Sequence, residues 1–192
     1  MASDVSLCNQ ALDRVGAQTI VALSEASAGA QACARLYPQA RDALLALHDW
    51  RFARARAKLA PLAAPVPAPW SQLYVLPSDC LAARALGPAD HRLGLQGGRF
   101  SVEGDWVLSD LADATLIYTR RVTEAGLFDP LFAEALAALL ALRLGAALRV
   151  DPDLLREVQR EYQLALDRAR AVDANQASNR EQPEADWIEA RA

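Results

Sequence analysis

Cysteine and histidine, the residues from which metal and nucleophilic sites are most often built, are scarce in this sequence. It has three cysteines and two histidines among 192 residues. Cys8, Cys33 and Cys80 are widely spaced and form no Cys-x-x-Cys motif or Cys/His cluster, so the spacing predicts neither a disulfide framework nor a zinc site. We expect buried free thiols in a reducing compartment, with no metal and no cofactor.

Catalytic motifs are also missing from the sequence. The two histidines, His48 and His91, lie in no recognisable nucleophile motif. The glycines of GLQGGRF at residues 94–100 precede a strand pattern, whereas a phosphate-binding loop needs the N-terminus of a helix behind it. A hairpin turn is the better interpretation of that stretch. We therefore predict that the protein is not an enzyme and has no catalytic residues.

Positive charge is in the minority. The chain has 20 Lys and Arg against 24 Asp and Glu, a net charge of −4, which argues against a general nucleic-acid binder because phosphate contacts need a clustered positive surplus. One basic run departs from this balance: WRFARARAK at residues 50–58 carries Arg51, Arg54, Arg56 and Lys58. A basic run beside aromatic residues is the pattern of a nucleic-acid groove, so the run needs an explanation.

A long uncharged apolar run is absent as well. The most apolar stretch, Leu131–Val150, is interrupted by Glu134, Arg143 and Arg149, which predicts that it does not span a membrane. The N-terminus carries Asp4 and no basic region, so we expect no signal peptide. These features predict a soluble protein with no membrane partner.

Alanine and leucine in helical periods are what the sequence has in quantity. Asp129-Pro130 and Asp151-Pro152 each place a capping residue before a proline suited to the first helical position. Pro38 lies inside the second helical pattern, which predicts either a kink or two abutting helices. The periods and caps predict four helices, over residues 4–16, 27–48, 130–149 and 152–172.

Between the second and third predicted helices the pattern changes. A proline-rich linker occupies residues 60–69, and alternating strand patterns follow, with turns at Gly97-Gly98 and Gly104-Asp105. The predicted fold class is therefore α+β, mainly α. We expect a single domain over residues 1–172, built as a bundle of about four helices with a β-rich insertion over about residues 70–123, and an extended C-terminal arm at 173–192.

The third predicted helix is apolar nearly all round, which predicts burial on two sides. In a chain of this length, we expect that helix to pack against a neighbouring subunit as well as against its own core. Glu134 and Arg143 would be a buried pair or a subunit contact, and Arg143 and Gly145 are candidates for a subunit or portal interface.

Several segments, taken in order, resemble a known family. They are LCNQALDRVGAQTIVALSE, CARLYPQARDALLALHDWRFARARAKLA, LYVLPSDCL, FSVEGDWVLSD, LIYTRRVTEAGLFDPLFAEALAALLALRL and REYQLALDRARAVDANQ. Together they cover about residues 4–176 and are similar to the head-to-tail adaptors of tailed bacteriophages, the tail tubular protein A type.

The resemblance implies a structural virion protein at the head–tail junction, assembled in the host bacterial cytoplasm. Family members form a dodecameric ring beneath the portal, extend the DNA channel and provide the platform for the tail or nozzle proteins, and DNA passes without specific binding. Their core is a helical bundle with a β-rich insertion. By the same resemblance the C-terminal arm reaches the portal, and Trp187 and Ile188 would be its contact residues here.

The basic run keeps three interpretations open. If residues 52–58 are extended, Phe52, Arg54, Arg56 and Lys58 share one face, and Arg51 adjoins it. That face would contact a subunit or the portal, face solvent, or touch DNA. The alternative function is a small DNA-binding or regulatory helical protein, which would need a basic recognition helix; the sequence offers only Arg35 and Arg41 on the second helix, at a spacing that points them to different faces.

Overall fold

The computed structural model describes residues 3–88 and 98–178. Within them the chain forms four α-helices, α1 (Asp4–Arg14), α2 (Ala28–Leu47), α3 (Pro130–Leu148) and α4 (Pro152–Ser178). It also forms six strands, β1 (Arg54–Lys58), β2 (Gln72–Val75), β3 (Cys80–Pro88), β4 (Phe100–Glu103), β5 (Trp106–Ser109) and β6 (Ala114–Arg120). This confirms the predicted α+β, mainly α, fold class.

The chain divides into two compact units, one inserted in the other. The helical unit contains the residues up to Ala40 and those from Glu124 onward, and the inserted β-rich unit runs from Arg41 to Thr123. The insertion is larger than the predicted 70–123 because the basic run forms strand β1, which pairs with β6 in register from Arg54↔Thr119 to Lys58↔Thr115. Helix α2 is continuous through Pro38, and the boundary between the units falls within it.

The helix starts follow from local sequence. The Ser3 side chain accepts a hydrogen bond from the Ser6 N–H at 3.1 Å at the start of α1, and Asp129 Oδ1 accepts one from the Leu131 N–H at 2.9 Å at the start of α3. Asp151 does the same for the first turn of α4, where its Oδ1 accepts from the Asp153 N–H at 2.8 Å. These caps satisfy backbone donors that have no partner inside the helix, and the two predicted Asp-Pro starts are confirmed.

Helix α4 ends later than predicted. It continues to Ser178 rather than stopping at residue 172. The apolar period ends near Val172, but Ala174, Asn175 and Gln176 in the next turn are exposed. A solvent-facing turn needs no apolar period to remain helical. The predicted arm at 173–192 therefore begins with helix, and its contact residues Trp187 and Ile188 lie outside the described residues.

Helix α3 is the centre of the helical unit. It packs against α1 and α4, and residues on all sides of it are buried within this one chain: Phe132, Ala135, Leu136, Ala137, Ala138, Leu140, Ala141, Leu144 and Gly145. Part of the burial that its composition requires is thus met inside the chain. The expected contact of α3 with a neighbouring subunit stays a prediction.

The same helix is long and apolar enough to cross a membrane by length and composition alone, in contrast to the expectation from the sequence. The difference arises because Arg149, one of the three charges counted against a span, lies beyond the end of the helix, where it adopts a left-handed conformation. Half of the most apolar window of α3 is buried inside the protein, as in a core helix.

The β-rich unit consists of two three-stranded antiparallel sheets, with strand orders β1-β6-β3 and β2-β5-β4. Side chains from both sheets share one apolar core, which includes Tyr74 and Val107 from one sheet and Leu86 and Leu116 from the other. The turn between β4 and β5 is at Gly104-Asp105, as predicted, and Gly104 has the positive φ of 59° that such a hairpin turn requires.

Candidate interaction surfaces

The basic run forms a charged face on an edge strand. Arg54, Arg56 and Lys58 are exposed along β1, while the alanines between them pack against the core of the β-rich unit. This alternation confirms the predicted shared face for the three cations. Phe52 is not part of it, because residues Arg51–Ala53 form a short 3₁₀ turn before the strand.

Carboxylates neutralise most of the charge on this face. Arg54 binds Asp49 through two nitrogens, Nε at 3.2 Å and Nη2 at 2.6 Å, and Lys58 Nζ lies 3.0 Å from Asp113 Oδ1. Among the described residues Arg56 has no ion pair or hydrogen bond. The face therefore presents about one uncompensated cation, whereas a site that holds DNA backbone needs several. A guanidinium in this setting is suited to gripping a carboxylate of another protein.

The aromatic residues of the run are structural. Trp50 is buried, and its indole N–H donates to the Leu44 carbonyl at 2.8 Å. Its ring lies against His48 and Phe52, with centroid distances of 4.7 and 6.4 Å. The indole is thus sequestered from any passing strand of nucleic acid, as expected for a core aromatic.

Arg84, which the sequence did not single out, anchors the end of α2 to the sheet. Its Nη2 donates to the carbonyls of Ala46 and His48, both at 2.8 Å, and its Nε donates to Thr119 Oγ1 at 2.9 Å. The Arg84 guanidinium therefore lies at the C-terminal end of α2. It donates to carbonyls that have no partner inside the helix, and its charge interacts favourably with the negative end of the helix dipole. The sequence signal for this role is a lone arginine within the alanine-rich strand CLAARAL.

The two interface candidates on α3 have different surroundings. Gly145 is buried, and a Cβ atom built on it would lie 2.1 Å from Leu155 Cδ2 of α4. Packing inside the chain is therefore sufficient to explain a glycine at position 145, and its role at a subunit or portal interface stays a prediction. Arg143 is half-buried near Tyr162. Burial raises the pKa of Tyr162, and the positive charges of Arg170 and Arg143 offset part of that rise.

Glu134 and Arg143 do not form the pair considered from the sequence. Nine residues along a helix correspond to about 900°, which places the two side chains on opposite sides of α3. Glu134 instead lines a groove of about 280 Å³ beside α4, together with Arg14, Glu161, Leu164 and Arg168. Within the groove, Arg14 Nε lies 3.5 Å from Glu161 Oε2.

The cysteines are free thiols. Cys8 and Cys33 are buried, and a hydrogen bond with Cys33, together with burial, raises the pKa of the Cys8 thiol. Burial and the nearby Asp79 raise the pKa of the half-buried Cys80. Because nucleophilic and metal-binding cysteines need thiolate character, Cys8 and Cys80 are unsuited to either role. Within residues 3–88 and 98–178, no group of three or more His, Cys, Asp or Glu could hold a metal ion.

Comparison of the sequence with models of known protein families found no matching family, and comparison with curated proteins found no matching relative.

Proposed function

We propose that this chain is a structural head-to-tail adaptor of a tailed bacteriophage. It would form a ring, a dodecamer by family resemblance, beneath the portal at the head–tail junction, extend the DNA channel and carry the tail or nozzle proteins. The observation that carries the proposal is the interruption of a helical unit by a β-rich unit between Ala40 and Glu124. The resemblance of six ordered sequence segments to the adaptor family implies that same arrangement.

The charge distribution supports a conduit over a DNA-binding protein. A channel has to let a polyanion pass without holding it, and a mildly acidic protein repels DNA instead of retaining it. The chain has a net charge of −4, and two of the three cations along β1 are paired with Asp49 and Asp113. The proposed role is structural and involves no catalysis and no cofactor.

The test of the ring is a mixing experiment with the portal ring encoded in the same genome. The full-length protein is added to the purified portal, and the products are separated by sedimentation and imaged by electron microscopy. We expect a closed ring of adaptor subunits on one end of the portal. A portal that sediments unchanged in the presence of excess adaptor would contradict the proposal.

The C-terminal arm is proposed to dock on the portal through Trp187 and Ile188. A deletion should start at residue 179 rather than 174, because α4 continues to Ser178. Removing residues 179–192 should abolish attachment to the portal and leave the thermal unfolding of the protein unchanged. Retained attachment would refute the docking role of the arm.

Trp187→Ala isolates the contribution of one side chain. If Trp187 is a hot spot of the interface, the substitution should weaken portal binding by about 2 kcal/mol or more, measured by titration. Trp106→Ala is the matched control, because Trp106 is an exposed tryptophan of the β-rich unit that has no part in the proposed arm contact. Equal affinities for the two variants would exclude the proposed role of Trp187.

A further inference from the structure

Helix α4 carries an exposed row of apolar and charged residues beside its core face. Leu154, Leu164 and Val172 are 38%, 58% and 39% exposed. They belong to a row on one side of the helix, which repeats every three or four residues and which we call the α4 stripe: Leu154, Glu157, Glu161, Leu164, Arg168 and Val172. The core face of α4 is built instead from Val158, Ala165, Leu166 and Ala169. Repeats of this kind are the pattern by which one helix packs along another.

The charges of the α4 stripe are complementary to those of a second α4 stripe that runs in the opposite direction. Glu161 lies three residues before Leu164, and Arg168 lies four residues after it. In a second α4 that runs antiparallel with its Leu164 at the same level, Glu161 of each copy comes to the level of Arg168 of the other. The acidic residue precedes the leucine and the basic residue follows it, so both charge pairs are attractive.

Arg168, the basic residue of this charge pair, can bind a carboxylate of a second copy. Among the described residues Arg168 has no ion pair or hydrogen bond, although it lines the same groove as Glu161. Within the part of the chain that the structure describes, Glu161 is paired with Arg14 alone, at 3.5 Å, and about half of its side chain is exposed. A second carboxylate would satisfy Arg168, and a second guanidinium would complete the coordination of Glu161.

We propose that two copies of this protein associate through the α4 stripe in an antiparallel, two-fold symmetric contact. Leu164 packs against Leu164 of the second copy at the centre, and Glu161 pairs with Arg168 of the second copy on both sides. Such an isologous contact closes with two copies, so it is distinct from the proposed ring and does not rest on it. The stripe is narrow, and the pair is therefore a weak, concentration-dependent one.

A charge exchange tests the geometry. Sedimentation equilibrium of the full-length protein, from low to high micromolar concentration, measures the dimer dissociation constant of the wild type, Glu161→Arg, Arg168→Glu and the double variant. Each single reversal places like charges together twice and should weaken the dimer by about tenfold or more. The double variant exchanges the charges and should restore most of the affinity.

Asp153→Arg is the matched control, because it makes the same charge change as Glu161→Arg on an exposed, ion-paired residue of α4 that is not one of the stripe residues and lies eleven residues from Leu164. It should leave the dimer unchanged. Circular dichroism verifies folding, and if Glu161→Arg unfolds, Glu161→Gln and Leu164→Glu replace it, both weakening the dimer. A wild type that is monomeric throughout, single reversals without effect, or a double variant that stays weak would each overturn the proposal.

Discussion

Gly145 shows how one missing side chain determines the packing of two helices. With hydrogen in place of a methyl group, the α3 backbone approaches Leu155 of α4. Gly145→Ala should lower the free energy of unfolding by about 1–2 kcal/mol, because the leucine side chain must move to admit the methyl group. Urea denaturation measures the change.

Gly126→Ala is the control for this prediction. A Cβ at Gly126 meets no atom within 4 Å, and its φ is not positive, so alanine there should be neutral or slightly stabilising. In a Leu155→Ala background, Gly145→Ala should lose most of its cost. An equal cost in both backgrounds would show that the contact with Leu155 is not the cause.

The ionisation of Tyr118 makes the stability of the β-rich unit depend on pH in the alkaline range. Its hydroxyl donates to Asp79 Oδ1 at 3.0 Å; burial, together with that bond and the charge of Asp79, raises its pKa to about 12. An unfolded tyrosine ionises near pH 10. The neutral tyrosine therefore contributes its full stability below about pH 10, and that contribution is lost as the pH rises to about 12.

Tyr118→Phe is the test of this dependence. Below pH 10 the variant should be less stable than the wild type by about 1 kcal/mol, the usual value of one hydrogen bond. The difference should shrink between pH 10 and 12, since the other tyrosines are common to both proteins. Denaturant titrations at pH 8 and pH 11 measure it, and a constant difference would contradict the assigned pKa.

At the scale of elements, Arg84 joins a helix end to a sheet. Arg84→Ala removes three hydrogen bonds and leaves two helix-terminal carbonyls without this donor, so it should cost about 2–3 kcal/mol in the free energy of unfolding. Arg84→Lys keeps the charge without the planar fork and should recover only part of the loss. Arg56→Ala, on an exposed residue of β1, should change stability by no more than about 0.5 kcal/mol.

Elements whose signals are local could be predicted, and those that depend on distant partners could not. The starts of α3 and α4 follow from Asp-Pro pairs, because a cap acts within one turn of its residue. The pairing of β1 with β6 joins residues about sixty positions apart, and no local pattern specifies it. The alternation of Arg54, Arg56 and Lys58 was readable in advance, but the neutralising contact of Lys58 with Asp113 arises only when the sheet forms.

The whole molecule is acidic, and this gives a prediction that separates the two proposed classes of function. The protein should not bind duplex DNA measurably at physiological salt, because its net charge of −4 leaves no overall positive surplus for phosphate contacts. Fluorescence anisotropy with a labelled duplex measures this. Tight binding whose affinity falls steeply with salt concentration would favour the DNA-binding regulator over the adaptor.

The insertion of one unit inside the other has a consequence for biosynthesis. Helix α1 packs against α3, yet the whole of Arg41–Thr123 is translated between the first part of the helical unit and the second. At roughly 5–20 residues per second, the ribosome needs several seconds to make that segment. The β-rich unit is thus complete before the helical unit, and during that interval α1 lacks the α3 surface against which it packs.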